Sequence, residues 1–416
     1  MKLGVAKSCI TPEMPVRLCG YAKRKGTFEG VLEDIYIRVH WQENDGIRLV
    51  LVYGDLLWWG TDFVEKAKNE LWCRLGLKAE EIFFIASHNH SGPPTGNLFT
   101  EELETYSPEY ARQLLTQVVQ TVGEAGKSLE KVTIKRYDGE AALNVYRRLK
   151  WDGIVEMRPN YKVRADHQLT VIHFQRLDGT IKGRWIHYPC HANLSSDNQI
   201  HGDYPGVLLR KLDEKTPGCI SMFLQGFTGD LRPNCTLGDR FISADWSQVQ
   251  CFAEELEEAV ERIEKKTCRI VEGYLTLKQM EVPLRLENIK SEEWLEQAER
   301  FSSTDLERQW AGKVLEKGNK DFENLQISSI RYGDSLCVFL FNAEVSQFYS
   351  TDIKQLFPDA ICVGYANGMI GYVMTEQQIK DGGYEPDESA KYSALSGTYS
   401  SGVEKKIKAA IQSMKD

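Results

Sequence analysis

Eight histidines are spread unevenly along this 416-residue chain, and two groups of them stand where chemistry can be done. His88 and His90 lie in Ser87-His88-Asn89-His90-Ser91-Gly92-Pro93, directly after the apolar run Ile82-Phe83-Phe84-Ile85-Ala86. On extended backbone, side chains two residues apart share a face, so both rings are expected to look into one cleft where the chain opens into the Gly-Pro turn. His187, His191 and His201 fall in and after Ile186-His187-Tyr188-Pro189-Cys190-His191-Ala192-Asn193. Pro189 argues against a helix through that stretch, so His187 and His191 are not an i, i+4 ligand pair; they belong to a strand end and the loop after it. His40, His167 and His173 stand in strand-like text and read as structural.

Two histidine groups that both follow apolar strands fit one shared site at the carboxyl edge of a sheet. Imidazole nitrogens suit zinc, and a catalytic zinc keeps a position open for water, whose pKa it lowers from 15.7 to about 7. The competing reading of His88 and His90 is a pair of hydrogen-bonded structural histidines. Spacing alone does not complete a ligand set, nor choose between His187 and His191. There is no H-E-x-x-H helix, G-x-S-x-G elbow, Walker loop or G-x-G-x-x-G turn. Zincin, serine-hydrolase, NTPase and dinucleotide-dependent chemistries are correspondingly disfavoured.

The elements that must position these residues alternate between strand and helix. Asp34 to His40 has period two, and Ile47 to Tyr53 is a β-branched and leucine run. A helix is expected over 61–75, then the apolar strand 82–86. Ser107 and Pro108 form a cap and first-turn signal for an amphipathic helix reaching about Gly126. Strands follow near 131–137, 168–175 and 181–188, then a helix from Asp245 to Glu264. A strand over 270–284 precedes a charged helical region over 291–317. Ile330 to Phe341 carries a turn at Gly333-Asp334, and an apolar strand lies near 361–365. No internal repeat or linker is visible, so the expectation is α/β, a layered mixed-sheet architecture in a single domain over 1–416.

With 42% hydrophobic and 27% charged residues the chain can bury a core, and a net charge of −9 argues against non-specific nucleic-acid binding. No apolar stretch is long enough to span a bilayer, and Met1 to Lys7 lacks a secretory h-region. The ten cysteines form no C-x-x-C pair, and most sit in apolar runs. They read as reduced and buried, and the cytoplasm is the expected location.

Taken together, several segments resemble the catalytic domain of the neutral/alkaline, non-lysosomal ceramidases and their bacterial relatives. Gly4 to Pro12 with Leu18-Cys19-Gly20-Tyr21-Ala22 is similar to that family's opening G-x-x-x-x-D-I-T-x-P…G-Y-A. Ser87 to Pro93 is similar to its T-H-T-H-S-G-P, and Cys190-His191-Ala192 with His201 to Gly206 to its second histidine loop. Gly229-Asp230-Leu231-Arg232-Pro233-Asn234 stands where the family has G-D-V-S-P-N. Ala343-Glu344 resembles its G-E-F-T segment, and Gly364 to Glu385 its closing G-L-x-N…Y-x-x-T…Y-E.

The resemblance implies a zinc held by His88, His191, Glu344 and Tyr372. It implies that His90 handles the proton of the reacting water and leaving group, that Tyr384 donates to an oxyanion, and that Arg147 binds that oxyanion or a substrate carbonyl. Asp203 is expected to orient the histidine loop. Arg232 replaces the family's serine and cannot act as a nucleophile, so attack is expected from zinc-bound water, with Arg232 and Asn234 binding substrate. With few residues after the Tyr384 segment, no immunoglobulin-like domain of the kind in true ceramidases is expected, nor a membrane-docking helix. The expected function is therefore zinc-dependent hydrolysis of an amide in a small soluble N-acylated molecule. An esterase or lactonase, a true ceramidase and a non-catalytic binding protein are the alternatives.

Overall fold

A computed structural model describes residues 1–415 and builds them around two mixed sheets. Within these sheets one connection pattern occurs three times: an antiparallel hairpin, a helix, and a third strand parallel to the second of the hairpin. The first unit is β1 (Tyr36–Asn44), β2 (Ile47–Gly54), α1 (Thr61–Leu75) and β3 (Ile82–Ala86). The second is β4 (Gln168–Arg176), β5 (Ile181–Tyr188), α2 (Asp203–Lys215) and β6 (Ile220–Gln225). The third is β7 (Phe322–Tyr332), β8 (Leu336–Phe341), α3 (Phe348–Leu356) and β9 (Ala360–Val363). A parallel neighbour needs a crossover, and in each unit the helix supplies it.

The first two units form the two ends of a nine-stranded sheet, joined through the strands Glu130–Glu140 and Lys2–Cys9. The third lies in a five-stranded sheet with Leu275–Glu287 and Thr398–Tyr399. β3 and β8 are buried at every residue, as their uninterrupted apolar text requires of strands covered on both faces. α1 and the helix Pro108–Lys127 share one core with Val39, Val50, Val52 and Phe84 on one side of the first unit. The other side, with Leu51, Tyr53 and Ile85, joins a core shared with the second unit and with Ile330, Val338 and Ile361 of the five-stranded sheet. α3 and the helix Val403–Ser413 close the outer face of that second sheet over Phe339, Phe341 and Cys362.

The alternation in β1 has a different meaning from the usual one. Alternating apolar and polar residues ordinarily mark a strand with one wet face. Here Arg38, His40 and Gln42 are as buried as Ile37, Val39 and Trp41. Each polar side chain finds a partner on another strand or helix. Arg38 Nη1 donates to the Ser221 carbonyl at 3.0 Å and pairs with Asp213. His40 Nε2 lies 2.8 Å from the Ile220 carbonyl, and its Nδ1 accepts from Trp185 Nε1 at 3.0 Å. Tyr332 donates its hydroxyl to Gln42 Oε1 at 2.6 Å. Burial holds the His40 ring at a pKa of about 4, so it is a neutral structural bridge.

Two expected elements and one expectation about burial differ from the structure. The 291–317 region is two helices, Glu292–Phe301 and Asp305–Lys317, because Thr304 caps the second by accepting from the Glu307 amide. The expected 270–284 strand is interrupted at Gly273, whose φ of 123° favours glycine, and its main part runs over Leu275–Glu287. Half of the expected buried cysteines are not buried: Cys9, Cys73 and Cys251 are exposed and Cys235 and Cys268 intermediate. No helix among the described residues is long and apolar enough to cross a membrane.

The Arg38–Asp213 pair joins β1 to α2, and Asp213 also accepts from the Ser221 amide at 2.9 Å. Removing one member strands a buried charge, so Asp213→Ala should cost about 3–5 kcal/mol in urea denaturation. The double variant Arg38→Met/Asp213→Leu should cost less than the single one; a double variant that is less stable would contradict this account.

Candidate metal centre

The predicted site residues arrive from the carboxyl ends of the third strands and hairpins of all three units. His88 follows β3, His191 follows β5, Glu344 follows β8, and Tyr372 ends the loop that leaves β9. The extended backbone expected at His88 is not found. Its φ is 62°, in the left-handed region that a histidine rarely adopts. The neighbours hold it there: the Asn89 amide donates to the Leu56 carbonyl at 3.0 Å and the His90 amide to the Ala192 carbonyl at 3.2 Å. Asn89 Nδ2 bonds the Asp55 and His201 carbonyls at 3.1 and 2.7 Å. The kink still turns the His88 and His90 rings toward each other.

Each ring is tethered through Nδ1 to a backbone carbonyl. His88 reaches Leu57 at 3.0 Å, His90 reaches Gly20 at 3.1 Å, and His191 reaches Thr228 at 3.2 Å. A carbonyl only accepts, so each Nδ1 carries the proton and each Nε2 presents a lone pair; at His191 the Thr228 carbonyl at 3.2 Å is a nearer partner than the Arg147 Nη1 donor at 3.4 Å. Those lone pairs converge: His88 Nε2 lies 2.9 Å from His191 Nε2 and 3.3 Å from His90 Nε2. The three ligand atoms all lie within 4.8 Å of one another. Burial drives His90 and His191 well below the ordinary histidine range, with the neighbouring rings pushing the same way, which disfavours a ring proton as the bridge.

Glu344 brings the balancing charge. Its Oε2 is 3.4 Å from His88 Nε2 and 4.0 Å from His191 Nε2. Tyr372 is its direct partner in the short parallel ladder Glu344–Val345 with Tyr372–Val373, which sets the two side chains next to each other. The edge of a zinc tetrahedron with bonds of 2.0–2.1 Å is about 3.3 Å. Nitrogen and carboxylate donors spaced between 2.9 and 4.0 Å, with bare lone pairs facing inward, therefore fit a zinc-type cation. His90 Nε2 stands beside this group, 3.3 Å from His88 Nε2, within reach of a water held there.

Tyr365, Thr228, Trp58, Arg148, Glu385 and Asp230, to which the sequence assigned no role, hold this arrangement together with Arg147. The Tyr365 ring stacks on His88 at 4.0 Å, and its hydroxyl is 2.6 Å from Thr228 Oγ1 and 3.4 Å from Glu344 Oε2. The Trp58 ring lies roughly parallel to that of His88, with centroids 6.1 Å apart. Arg147 Nη2 donates to the Tyr372 hydroxyl at 3.1 Å, and its Nε to Glu385 at 2.8 Å; Arg148 pairs with the other Glu385 oxygen. Buried Asp230 accepts from the Gln347 amide at 2.9 Å, Ser346 Oγ at 2.5 Å and Gln378 Nε2 at 2.7 Å, which fixes the chain just after Glu344. Burial and the Glu344 carboxylate push the Tyr372 phenol well up, while Arg147, and any bound cation, pulls it down.

The remaining assignments separate. Tyr384 sits on a π-helical turn, Tyr384–Glu388, with its ring 5.8 Å from that of Tyr372. It lines an open cavity of about 660 Å³ together with His90, His191, Arg147, Arg232 and Tyr372. Asn234 does not line this cavity; it is exposed, and its Oδ1 accepts from the Tyr161 hydroxyl at 2.9 Å. His187 points elsewhere, with Nε2 2.9 Å from the Cys362 carbonyl. Asp203 holds the histidine loop through backbone, accepting from the Leu194 and Tyr204 amides at 3.0 and 2.7 Å, and not through the His191 ring.

The sequence matches no family model and no curated protein. Among solved structures the fold is similar to the neutral ceramidase from Pseudomonas aeruginosa, with a TM-score of 0.76 and 18% identity over 100% of this chain and 73% of that one. It is equally similar to a ceramidase complexed with C2, with a TM-score of 0.78 and 18% identity over 100% of this chain and 74% of that one. At this identity the likeness establishes a neutral ceramidase-like fold.

The wall behind His88 carries its own titration. Glu104 accepts from Trp58 Nε1 and from the Phe99 amide, both at 3.2 Å, yet burial raises its pKa from 4.5 to about 7. The folded protein therefore holds a proton that the unfolded chain has released, and stability should fall as pH rises from about 4.5 through 7. The contribution is on the order of 3 kcal/mol. Glu104→Gln should flatten that part of a melting-temperature profile against pH; an unchanged slope would remove Glu104 as its source.

Proposed function

We propose that this protein is a zinc-dependent amidohydrolase acting on a small, soluble, N-acylated substrate. The observation that carries the reading is the convergence of three Nδ1-anchored imidazoles and one carboxylate at the wall of an open cavity. His88, His191, Glu344 and Tyr372 would hold the cation, which supplies Lewis-acid polarisation and acidification of water. The cavity, about 660 Å³, is of the size that takes a small molecule.

The chain's own groups account for the rest. The Nδ1 bond to Gly20 leaves His90 Nε2 free as the base, where a proton taken from water is held and then passed to the departing amine nitrogen. Gly20 lies so close that a Cβ there would come within 2.5 Å of His90 Nδ1, so its lack of a side chain sets the position of this ring. The Tyr384 hydroxyl is the donor for an oxyanion on the substrate, and Arg147 adds fixed positive charge beside it. Glu385 in turn keeps the Arg147 guanidinium in place. The fold likeness to two ceramidases supports amide chemistry, since those proteins are named for cleaving an amide.

Two variants separate binding from proton transfer. His88→Ala should lose both bound zinc, measured by metal analysis, and hydrolysis of an N-acyl amine panel. His90→Gln should keep about one metal equivalent while kcat falls by roughly 10²–10⁴-fold. Chelation should abolish activity and zinc should restore it. Full activity of the metal-free protein, or turnover of matched esters with no turnover of any amide, would overturn the reading.

A further inference from the structure

The cavity beside the metal centre is electrostatically one-sided. Four cations, Lys23, Arg24, Arg147 and Arg232, line it, and no lining residue is a carboxylate. This stands against a chain whose net charge is −9. Two of the four are already engaged. Arg147 is held by Glu385, and Arg24 donates to the Cys19, His90 and Asp197 carbonyls at 3.2, 2.7 and 2.9 Å.

Arg232 is different. Among the described residues its Nη1 meets only the Met157 sulfur at 3.6 Å, and its guanidinium lies over the Phe241 ring at 4.8 Å. Its Nε is buried without an acceptor among the described residues. The guanidinium thus lies over an aromatic ring with donors left over and, among the described residues, no counter-ion. Burial lowers its pKa, as expected of a cation that lacks compensation. A planar fork with free donors matches a carboxylate.

Its place in the fold puts that carboxylate beside the reacting groups. The strand Leu231–Pro233 pairs antiparallel with Asn144–Tyr146, so that Arg232 faces Val145, while the Arg147 amide bonds the Asp230 carbonyl at 2.9 Å. Arg232 and Arg147 are diagonal neighbours on one face, about 7–8 Å apart at the backbone. Both arginines line the cavity with His90 and Tyr372, so an anion on Arg232 shares that cavity with an amide placed against them.

We propose that Arg232 is the recognition site for a carboxylate on the amine side of the scissile bond, which makes the substrate class N-acyl amino acids. This rests on the amidohydrolase reading above. The reaction balances with water alone. The acyl carbon gains a C–O bond from water and loses its C–N bond, the departing nitrogen takes both protons of that water, and the products are a fatty or short-chain carboxylate and a zwitterionic amino acid.

The test uses the zinc-replete full chain with two matched pairs: N-octanoylglycine against N-octanoylglycinamide, and N-acetylglycine against N-acetylglycinamide. In at least one pair the carboxylate should be preferred by about 10- to 100-fold in kcat/KM. That preference should shrink toward unity in Arg232→Met and return in part in Arg232→Lys, mainly through KM. Equal rates on acid and amide in the wild type, or an undiminished preference in Arg232→Met, would overturn the proposal while leaving amide hydrolysis intact. If no compound in either pair is hydrolysed, calorimetric binding to the chelated protein decides. N-octanoylglycine should bind at least about tenfold tighter than its amide, and Arg232→Met should abolish the difference; equal or absent binding would refute the site.

Discussion

The centre depends on one repeated hydrogen bond, an imidazole Nδ1–H given to a backbone carbonyl. Made three times, by His88, His90 and His191, it decides tautomer, ring orientation and charge together. A ring whose Nδ1 was left to solvent would be free to turn over or to exchange its proton between nitrogens. Here the acceptors are main-chain atoms of Leu57, Gly20 and Thr228, groups that substitution cannot remove. The remaining lone pairs are forced to face one another in a dry interior, an arrangement that is unfavourable by itself and favourable around a cation.

The same interior needs a frame that does not yield. The Arg147–Glu385–Arg148 triad and the Asp230 cluster provide it, and both are buried. Buried ion pairs contribute little net stability, but once all their donors and acceptors are matched they admit few alternative geometries. Asp230 ties the residues after Glu344 to Gln378, and Glu385 ties Arg147 to the turn that carries Tyr384. Residues from the middle of the sequence are in this way set against residues near its end.

Much of this architecture was legible before any coordinates. The helices Thr61–Leu75 and Trp246–Glu264 and the strands Ile82–Ala86 and Ile181–Tyr188 lie where periodicity and capping signals put them. His88 and His191 were visible as histidines after apolar strands. Glu344, Tyr372 and Tyr384 were not, because a single carboxylate or tyrosine carries no spacing signal; only the likeness of whole segments to a family pointed to them. Tyr365, Thr228 and Glu385 act through contacts between segments distant in sequence, which no local pattern records. The burial of β1 was misleading in text, since its polar residues alternate as on a wet strand and are instead spent on cross-strand bonds. The left-handed backbone at His88 was equally hidden, as nothing in a histidine announces it.

The three hairpin–helix–strand units show no resemblance in sequence, yet each delivers one member of the group at the same end of its strands. His88 comes from the first, His191 from the second and Glu344 from the third. No fragment containing only one or two of these units carries the complete set. The pocket is in effect a keystone: its composition reports that all three arches have closed, and a chain arrested with any unit unformed would present at most a partial, weakly chelating surface.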